Sequence, residues 1–290
     1  MNIKQMAVAV LAASAVFSAA AETELVGAGG SFPAPLYQKW AYAYSAKTPG
    51  VKVNYQSVGS SAGIRQIKAA TVDWAGTDAP VAEDDLKVSG LKQFHMVSGA
   101  VVAACNLPGV ESLTLDGATL ARIYLGEIKR WNDPAIAALN PGASLPDLKI
   151  TVVRRGDGSG TTHIFSTYLS SVSAEWKEKV GAGTQLKWPC GIAGQKNPGV
   201  CNLVARIRGA IGYTEYTFAI EAKLAVAKMS VGGAKVSPDE PSWPMLGKTY
   251  VLVRDDLDAA KRTELEKFFA WCRREGGETA KAMHYIPVAE

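Results

Sequence analysis

Val152-Val153-Arg154-Arg155-Gly156-Asp157-Gly158-Ser159-Gly160-Thr161 is an apolar strand that runs into a glycine-rich turn and opens a helix. The pattern describes an anion cradle. Glycines let the turn fold tightly and bring bare N–H groups toward a ligand. A helix starting near Ser159 aims its unsatisfied N–H groups and the positive end of its dipole the same way. Arg155 supplies a full positive charge beside them. Ile164, Phe165, Tyr168 and Leu169 recur at helical spacing and give the helix one apolar stripe to bury against a sheet.

Two other readings compete for the same residues. A Gly/Ser-rich strand-to-helix turn is often only a capped helix start. The string also lies close to nucleophile turns of the Gly-x-Ser-x-Gly type, which would make Ser159 the nucleophile of a secreted phosphatase or esterase. That chemistry needs a base and an acid brought to the serine. The chain offers only His95, His163 and His284, and His163 sits one turn along the same helix.

Composition narrows the setting. Met1 to Ala21 carries one lysine, an apolar run from Met6 to Phe17 and Ala19-Ala20-Ala21 as a small-residue cleavage site, which together read as a secretory signal peptide. The run is too short for a membrane span, and no later stretch reaches that length. An exported protein without stable membrane insertion is expected. No cysteine stands at the cleavage site, so no lipid anchor is expected either. Losing Lys4 from 31 basic side chains leaves 30 against 27 acidic ones, a formal +3, which singles out no polyanion and no nucleic-acid partner.

About 270 mature residues exceed the usual size of one core and suggest two lobes. Cys190 and Cys201 bracket a turn-rich segment, and in an oxidising compartment a Cys190–Cys201 disulfide is expected, worth roughly 3 kcal/mol in the chain-entropy model. A bond between Cys105 and Cys272 is left open by the sequence. No cysteines are spaced as Cys-x-x-Cys and no histidine stands near them, so no metal site is expected.

The strand, Gly/Ser turn, helix order of the opening stretch occurs twice more. Leu25-Val26-Gly27-Ala28-Gly29-Gly30-Ser31-Phe32-Pro33 leads to a helical face of Leu36, Trp40, Ala43 and Tyr44. Val51, Val53 and Tyr55 alternate with polar residues as a strand should, and Gly59-Ser60-Ser61-Ala62-Gly63 then opens the Ile64 and Ile67 helix. Three similar turns suggest one shared ligand. A fourth strand ends at Thr77-Asp78-Ala79-Pro80, where Asp78 is either an ordinary turn residue or an acceptor for a ligand that still carries a proton.

Phe94 to Cys105 is almost wholly apolar, as in a strand buried on both faces, and Asn106-Leu107-Pro108-Gly109 stops it. That break is the first candidate crossing between lobes. The second is the strand at Lys248 to Val253, after a Pro-rich stretch from Val236 to Pro244. The expected boundaries are therefore a signal peptide over 1–21, a first lobe of 22–107 plus 246–290, and a second lobe of 108–245. Alternating strands and helices point to an α/β fold.

At this point the chain resembles the periplasmic phosphate-binding proteins of PstS type, the substrate-binding components of ABC phosphate importers. The resemblance rests on Gly27 to Pro35, Gly59-Ser60-Ser61, Thr77-Asp78-Ala79-Pro80, Tyr124-Leu125-Gly126-Glu127-Ile128 and Arg154 to Thr161, and runs to about Lys228. It implies the type II substrate-binding fold, with two α/β lobes closing over one dehydrated phosphate. It also implies backbone N–H groups from Ser31 and Phe32, hydroxyl and N–H from Ser60, a cage of Arg155, Ser159, Gly160 and Thr161, and Asp157 orienting Arg155. Asp78 would accept the phosphate proton.

The implied function is non-enzymatic capture of inorganic phosphate by a monomer that needs no cofactor and delivers it to an inner-membrane ABC permease. After Lys228 the chain is shorter than better-known members, which bears on contacts with the permease rather than on the ligands. A sulfate-type oxyanion carrier is the nearest alternative, and Asp78 argues against it, because a carboxylate repels an unprotonated dianion. A signalling or adhesive role that keeps the pocket is compatible with the same fold.

Overall fold

The computed structural model describes residues 22–288, so the expected signal peptide lies outside the described residues. Thr23–Gly29 (β1) pairs in parallel with Val51–Ser57 (β2) on one side and Trp74–Thr77 (β3) on the other. Parallel neighbours need crossover helices. Ala34–Lys47 (α1) and Ser60–Lys68 (α2) provide them, each starting directly after one of the glycine-rich turns. A short helix, Glu83–Val88 (α3), then leads into the long strand Leu91–Cys105 (β4), whose residues from Gly99 onward are all buried.

A small sheet and two helices follow: Thr114–Asp116 (β5), Gly117–Tyr124 (α4) and Pro134–Leu139 (α5). Between α4 and α5 the helical course is broken at Gly126, which takes a φ of 79°, and Pro134 then begins α5 with the Asp133 side chain as its cap. Thr151–Arg155 (β6) then feeds Gly160–Val172 (α6), capped by Ser159, and Ala174–Lys179 (α7). Ile192–Gly194 (β7), Lys196–Arg206 (α8) and Ala210–Glu215 (β8) complete a second parallel unit, with β6 between β7 and β8. Tyr216–Glu221 (α9), Ala225–Val226 (β9), Lys228–Val231 (β10) and Ala234–Val236 (β11) close this half, β10 pairing with both β5 and β11.

The chain returns through Leu246–Arg254 (β12), which lies antiparallel between β3 and β4, and ends in Ala259–Arg274 (α10), Gly277–Ala282 (α11) and Ile286–Pro287 (β13). Strand β4 belongs to both halves. Its residues up to Ala100 pair with β12, and from Val101 to Cys105 it pairs with β8. The polypeptide thus passes from one half-sheet to the other inside an unbroken strand. The return path runs alongside: Trp243 Nε1 donates to Val101 O at 2.9 Å and Val101 N donates to Met245 O at 2.9 Å. The last strand, β13, adds a further tie by pairing with Val97 and Ser98 of β4.

Aromatic packing supports each half beneath its glycine turns. In the first, Tyr55 stacks on Trp74 with ring centres 4.9 Å apart, and Phe269 of α10 meets Trp74 edge-on at 5.2 Å. In the second, Phe165 of α6 stacks on Tyr213 of β8 at 4.2 Å. Ile164, Phe165 and Leu169 are buried, as the helical stripe predicts.

The expected Cys190–Cys201 disulfide is absent, and all four cysteines are free thiols. The segment between them is not a closed loop. It runs as β7 along β6 and then turns into α8, which separates the two thiols' surroundings. Cys190 Sγ lies 3.4 Å from the carbonyl of Tyr124 at the end of α4, whereas Cys201 Sγ lies 3.5 Å from Thr214 Oγ1 on β8. A disulfide needs both Cβ vectors to converge. Cys105 and Cys272 are likewise buried and unbonded.

Candidate functional site

Strands β1, β2, β3 and β6 all place their carboxyl ends at the cleft between the halves, where open α/β sheets bind ligands. Ser31 and Phe32 follow β1, and both are buried. Two tyrosines from distant parts of the chain fix this turn. Tyr55 donates to Gly30 O at 2.9 Å, and Tyr285 donates to Phe32 O at 2.8 Å. With their carbonyl sides held, the N–H groups of Ser31 and Phe32 have no acceptor among the described residues.

Ser60 opens α2 after Gly59, whose φ of 94° favours glycine and where a Cβ would stand 2.9 Å from Asp157 Oδ2. The Ser60 hydroxyl donates to Asp78 Oδ2 at 3.1 Å. Asp78 is 2% exposed, and its other oxygen, Oδ1, is buried with no partner among the described residues. Burial pushes the Asp78 carboxyl up from 3.8 to about 7, against the opposing pull of the Ser60 and Thr249 hydroxyls and the Arg155 charge. An unpartnered carboxylate oxygen at this position is satisfied by a ligand that donates a hydrogen bond.

The second half supplies the cations and donors. Arg155 is 3% exposed, and its guanidinium forks onto Asp157, with Nε 2.8 Å from Oδ1 and Nη2 to Oδ2. Burial alone would raise the Asp157 carboxyl. Its bonds to Arg155, that residue's charge and the N–H of Lys196, 2.9 Å away, hold it below the ordinary carboxylate value. Asp157 therefore stays charged and holds the Arg155 guanidinium on two bonds. Arg155 Nη1 remains directed at Thr161 Oγ1, 3.3 Å away.

Ser159 caps α6 by accepting the N–H of Thr162 at 3.0 Å. Its hydroxyl has no base beside it among the described residues: His163 instead lines a groove of about 420 Å³ with Asp78, Tyr168 and Lys248, and burial lowers the His163 pKa. The first turn of α6 presents Gly160 and Thr161 to the cleft, both buried. Residues from the two halves meet directly there. Gly160 N donates to Ser60 Oγ at 3.2 Å, Ser61 N donates to Gly158 O at 3.2 Å, and Ser61 Oγ lies 3.3 Å from Thr184 Oγ1.

All eight residues expected to form the cage, namely Ser31, Phe32, Ser60, Asp78, Arg155, Ser159, Gly160 and Thr161, come together in this cleft, with Asp157 behind Arg155. Sequence reading missed Asn197, which is 0% exposed and bonds to Ser31, Thr161 and Arg155 at once. Its signal was present. Strand β7, the Gly194-Gln195-Lys196 turn and helix α8 repeat the strand, turn, helix order of the other three donor turns, and Lys196 takes a left-handed φ of 57°. The flanking cysteines, Cys190 and Cys201, point instead to a closed loop and mask that order.

Such a cleft can enclose a small tetrahedral oxyanion, surrounding it with N–H, O–H and guanidinium donors on most sides and one acceptor on another. Comparisons with other proteins agree with that geometry. A model of the PBP superfamily domain matches residues 15–272. The phosphate-binding protein PstS of Xylella fastidiosa strain Temecula1 is 42% identical over 91% of this chain and 81% of its own length. The phosphate-binding protein PstS of Pasteurella multocida is 39% identical over 100% of this chain and 93% of its own. A phosphate-binding protein from Stenotrophomonas maltophilia shares the fold, with a TM-score of 0.72 at 18% identity over 92% of this chain and 91% of that one. These matches agree with a two-lobed type II substrate-binding fold, and the chain belongs to the PstS family of phosphate-binding proteins.

Proposed function

We propose that this protein captures inorganic phosphate in the periplasm and delivers it to an ABC permease of the inner membrane. It acts as an exported monomer, without a cofactor and without catalysing a reaction. The observation that carries this reading is the buried Asp78 carboxyl, whose Oδ1 lacks a partner within a cleft otherwise furnished with donors. A monoprotonated phosphate matches both features, since it offers one donor to Asp78 and several acceptors to Ser31, Phe32, Ser60, Arg155, Ser159, Gly160 and Thr161. Charge-assisted hydrogen bonds of this kind contribute about 1.5–3 kcal/mol each net of desolvation.

Relatives at 42% and 39% identity carry the name phosphate-binding protein PstS, which supports the same ligand for this chain. Export would proceed through a cleaved segment 1–21, and no helix among the described residues is long and apolar enough to cross a membrane. The lobes proposed to close on phosphate are 22–107 with 246–290, and 108–245, although the end of β4 from Val101 to Cys105 already pairs with β8 of the second half, ahead of the break at Asn106 to Gly109. Calorimetric titration of the mature protein with phosphate and with a phosphate monoester tests this reading. Saturable one-to-one uptake of phosphate, with the ester left intact, is expected. Hydrolysis of the ester, or no uptake of phosphate, would overturn it.

A further inference from the structure

Asn197 stands at the first turn of α8 with its side chain wholly buried among residues of the cleft. Its amide orientation is fixed by its neighbours. Glu215 N lies 3.4 Å from Oδ1 and Arg155 Nη1 also lies 3.4 Å from it, and both are groups that can only donate, so this atom must be the acceptor. The Thr214 hydroxyl joins them at 3.3 Å. The Nδ2 group is thereby turned to Ser31 Oγ at 3.1 Å and Thr161 Oγ1 at 3.4 Å.

The consequence falls on the two hydroxyls. Ser31 Oγ accepts from Asn197 Nδ2 and also from Asn197 N at 3.3 Å. Thr161 Oγ1 accepts from Asn197 Nδ2 and from Arg155 Nη1 at 3.3 Å. A hydroxyl has two lone pairs and one proton. With both lone pairs taken, each hydroxyl can only donate, and neither finds an acceptor among the described residues. Ser60 differs, because its proton already goes to Asp78. The contacts of Asn197 are long, so they set orientation more than they add stability.

We infer that Asn197 is a positioning residue that turns Ser31 and Thr161 into obligate donors toward the bound anion. The inference deepens the phosphate reading and rests on it. It also assigns the ligand's orientation: unprotonated oxygens face Ser31 and Thr161, and the protonated oxygen faces Asp78. Asn197 thus contributes to selecting an anion with acceptor oxygens on one side and a single proton on the other, although it need not touch the anion itself.

A double-mutant cycle tests this. N197D keeps the side chain's shape but removes both Nδ2 donors, so the Ser31 and Thr161 hydroxyls donate to the new carboxylate instead of the anion. Titrations with inorganic phosphate at one pH would compare wild type, S31A, N197D and the double variant. In the wild-type background S31A should weaken binding about tenfold or more, as expected for losing one hydrogen bond to a charged group. In the N197D background the same change should weaken binding less than about twofold, since that hydroxyl no longer serves the anion. A role of Asn197 in packing alone, or an effect of the carboxylate introduced by N197D through its charge alone, leaves the cost of S31A the same in both backgrounds, and that result would overturn the inference. Where melting shows N197D unfolded, N197A carries the same cycle, with the cost of S31A expected to shrink severalfold and an unchanged cost counting against it. Wild type that takes up no phosphate would refute the phosphate reading and this inference together; binding with an unchanged cost of S31A would refute only the inference.

Discussion

The backbone N–H of Gly160 donates to the Ser60 hydroxyl at 3.2 Å, a bond between residues 100 positions apart that joins the two lobes across the cleft. A Cβ on Gly160 would stand 2.5 Å from Asp78 Oδ2 and 2.7 Å from Ser60 Oγ, distances that side chains do not tolerate. Gly160→Ala should therefore hold the cleft ajar and weaken phosphate binding by about a hundredfold, the effect of losing one or two such contacts. The ligand-free protein should melt no lower, because alanine suits a helix better than glycine. Titration together with melting separates the two effects, and unchanged affinity would mean that closure does not bring Gly160 against Asp78.

Arg155→Ala should weaken phosphate binding more than Ser159→Ala. The first removes a buried charge and strands Asp157, a change of about 2–5 kcal/mol in comparable interfaces. The second removes the α6 cap, worth about 1 kcal/mol of stability, while the Gly160 N–H stays in place. Equal losses in parallel titrations would count against the cage.

The free thiols lead to a chemical expectation. Cys190 is the only one of the four that is not fully buried, so a thiol reagent should modify it first in the native protein and reach all four only on unfolding. Replacing Cys190 and Cys201 together by serine should not cost the roughly 3 kcal/mol of a lost cross-link. Non-reducing peptide mapping that finds the two joined would contradict the structure.

Stability of the ligand-free protein should fall as pH rises from about 4 to about 7. The folded state holds the Asp78 proton up to about 7, while the unfolded chain releases it near 3.8, so the stabilisation is fully present below 3.8 and is lost by about pH 7. Glu215, pushed up by burial from 4.5 to about 8, acts in the same direction. Asp78→Asn should be more stable than wild type at pH 8 by on the order of a few kcal/mol, with the difference shrinking toward pH 4. Denaturant melts at the two pH values measure this, and a difference independent of pH would show that Asp78 is not buried in the manner described.

Much of the architecture and most of the site are legible in the sequence because both rest on local pattern. The glycine turns after β1, β2 and β6 announce strand, turn and helix, and Ser159 marks the start of α6 by its cap chemistry. What the sequence does not reveal depends on contacts between distant positions. Nothing near Gly30 or Phe32 indicates that Tyr55 and Tyr285 hold their carbonyls. Asn197 hid in a segment whose two cysteines suggested a staple, when its strand, turn, helix order carried the better signal. The passage between half-sheets inside β4 is equally silent, since an unbroken apolar run looks the same whether it pairs with one partner or changes partner at Val101.

Selectivity bears most directly on the central claim, that Asp78 accepts a hydrogen bond from the proton of bound phosphate. The measurement is a set of calorimetric titrations of wild type and Asp78→Asn with phosphate and with sulfate, at pH 8 and one ionic strength. At that pH the free carboxyl is ionised, phosphate still has a proton to share and sulfate has none. Wild type should bind phosphate and reject sulfate, since a buried like-charge contact costs several kcal/mol. Asp78→Asn removes the repulsion and adds a donor, so sulfate affinity should rise, phosphate affinity should fall or change little, and discrimination should narrow by orders of magnitude. A variant that rejects sulfate as strongly as wild type would contradict the claim and leave Asp78 as a turn residue only.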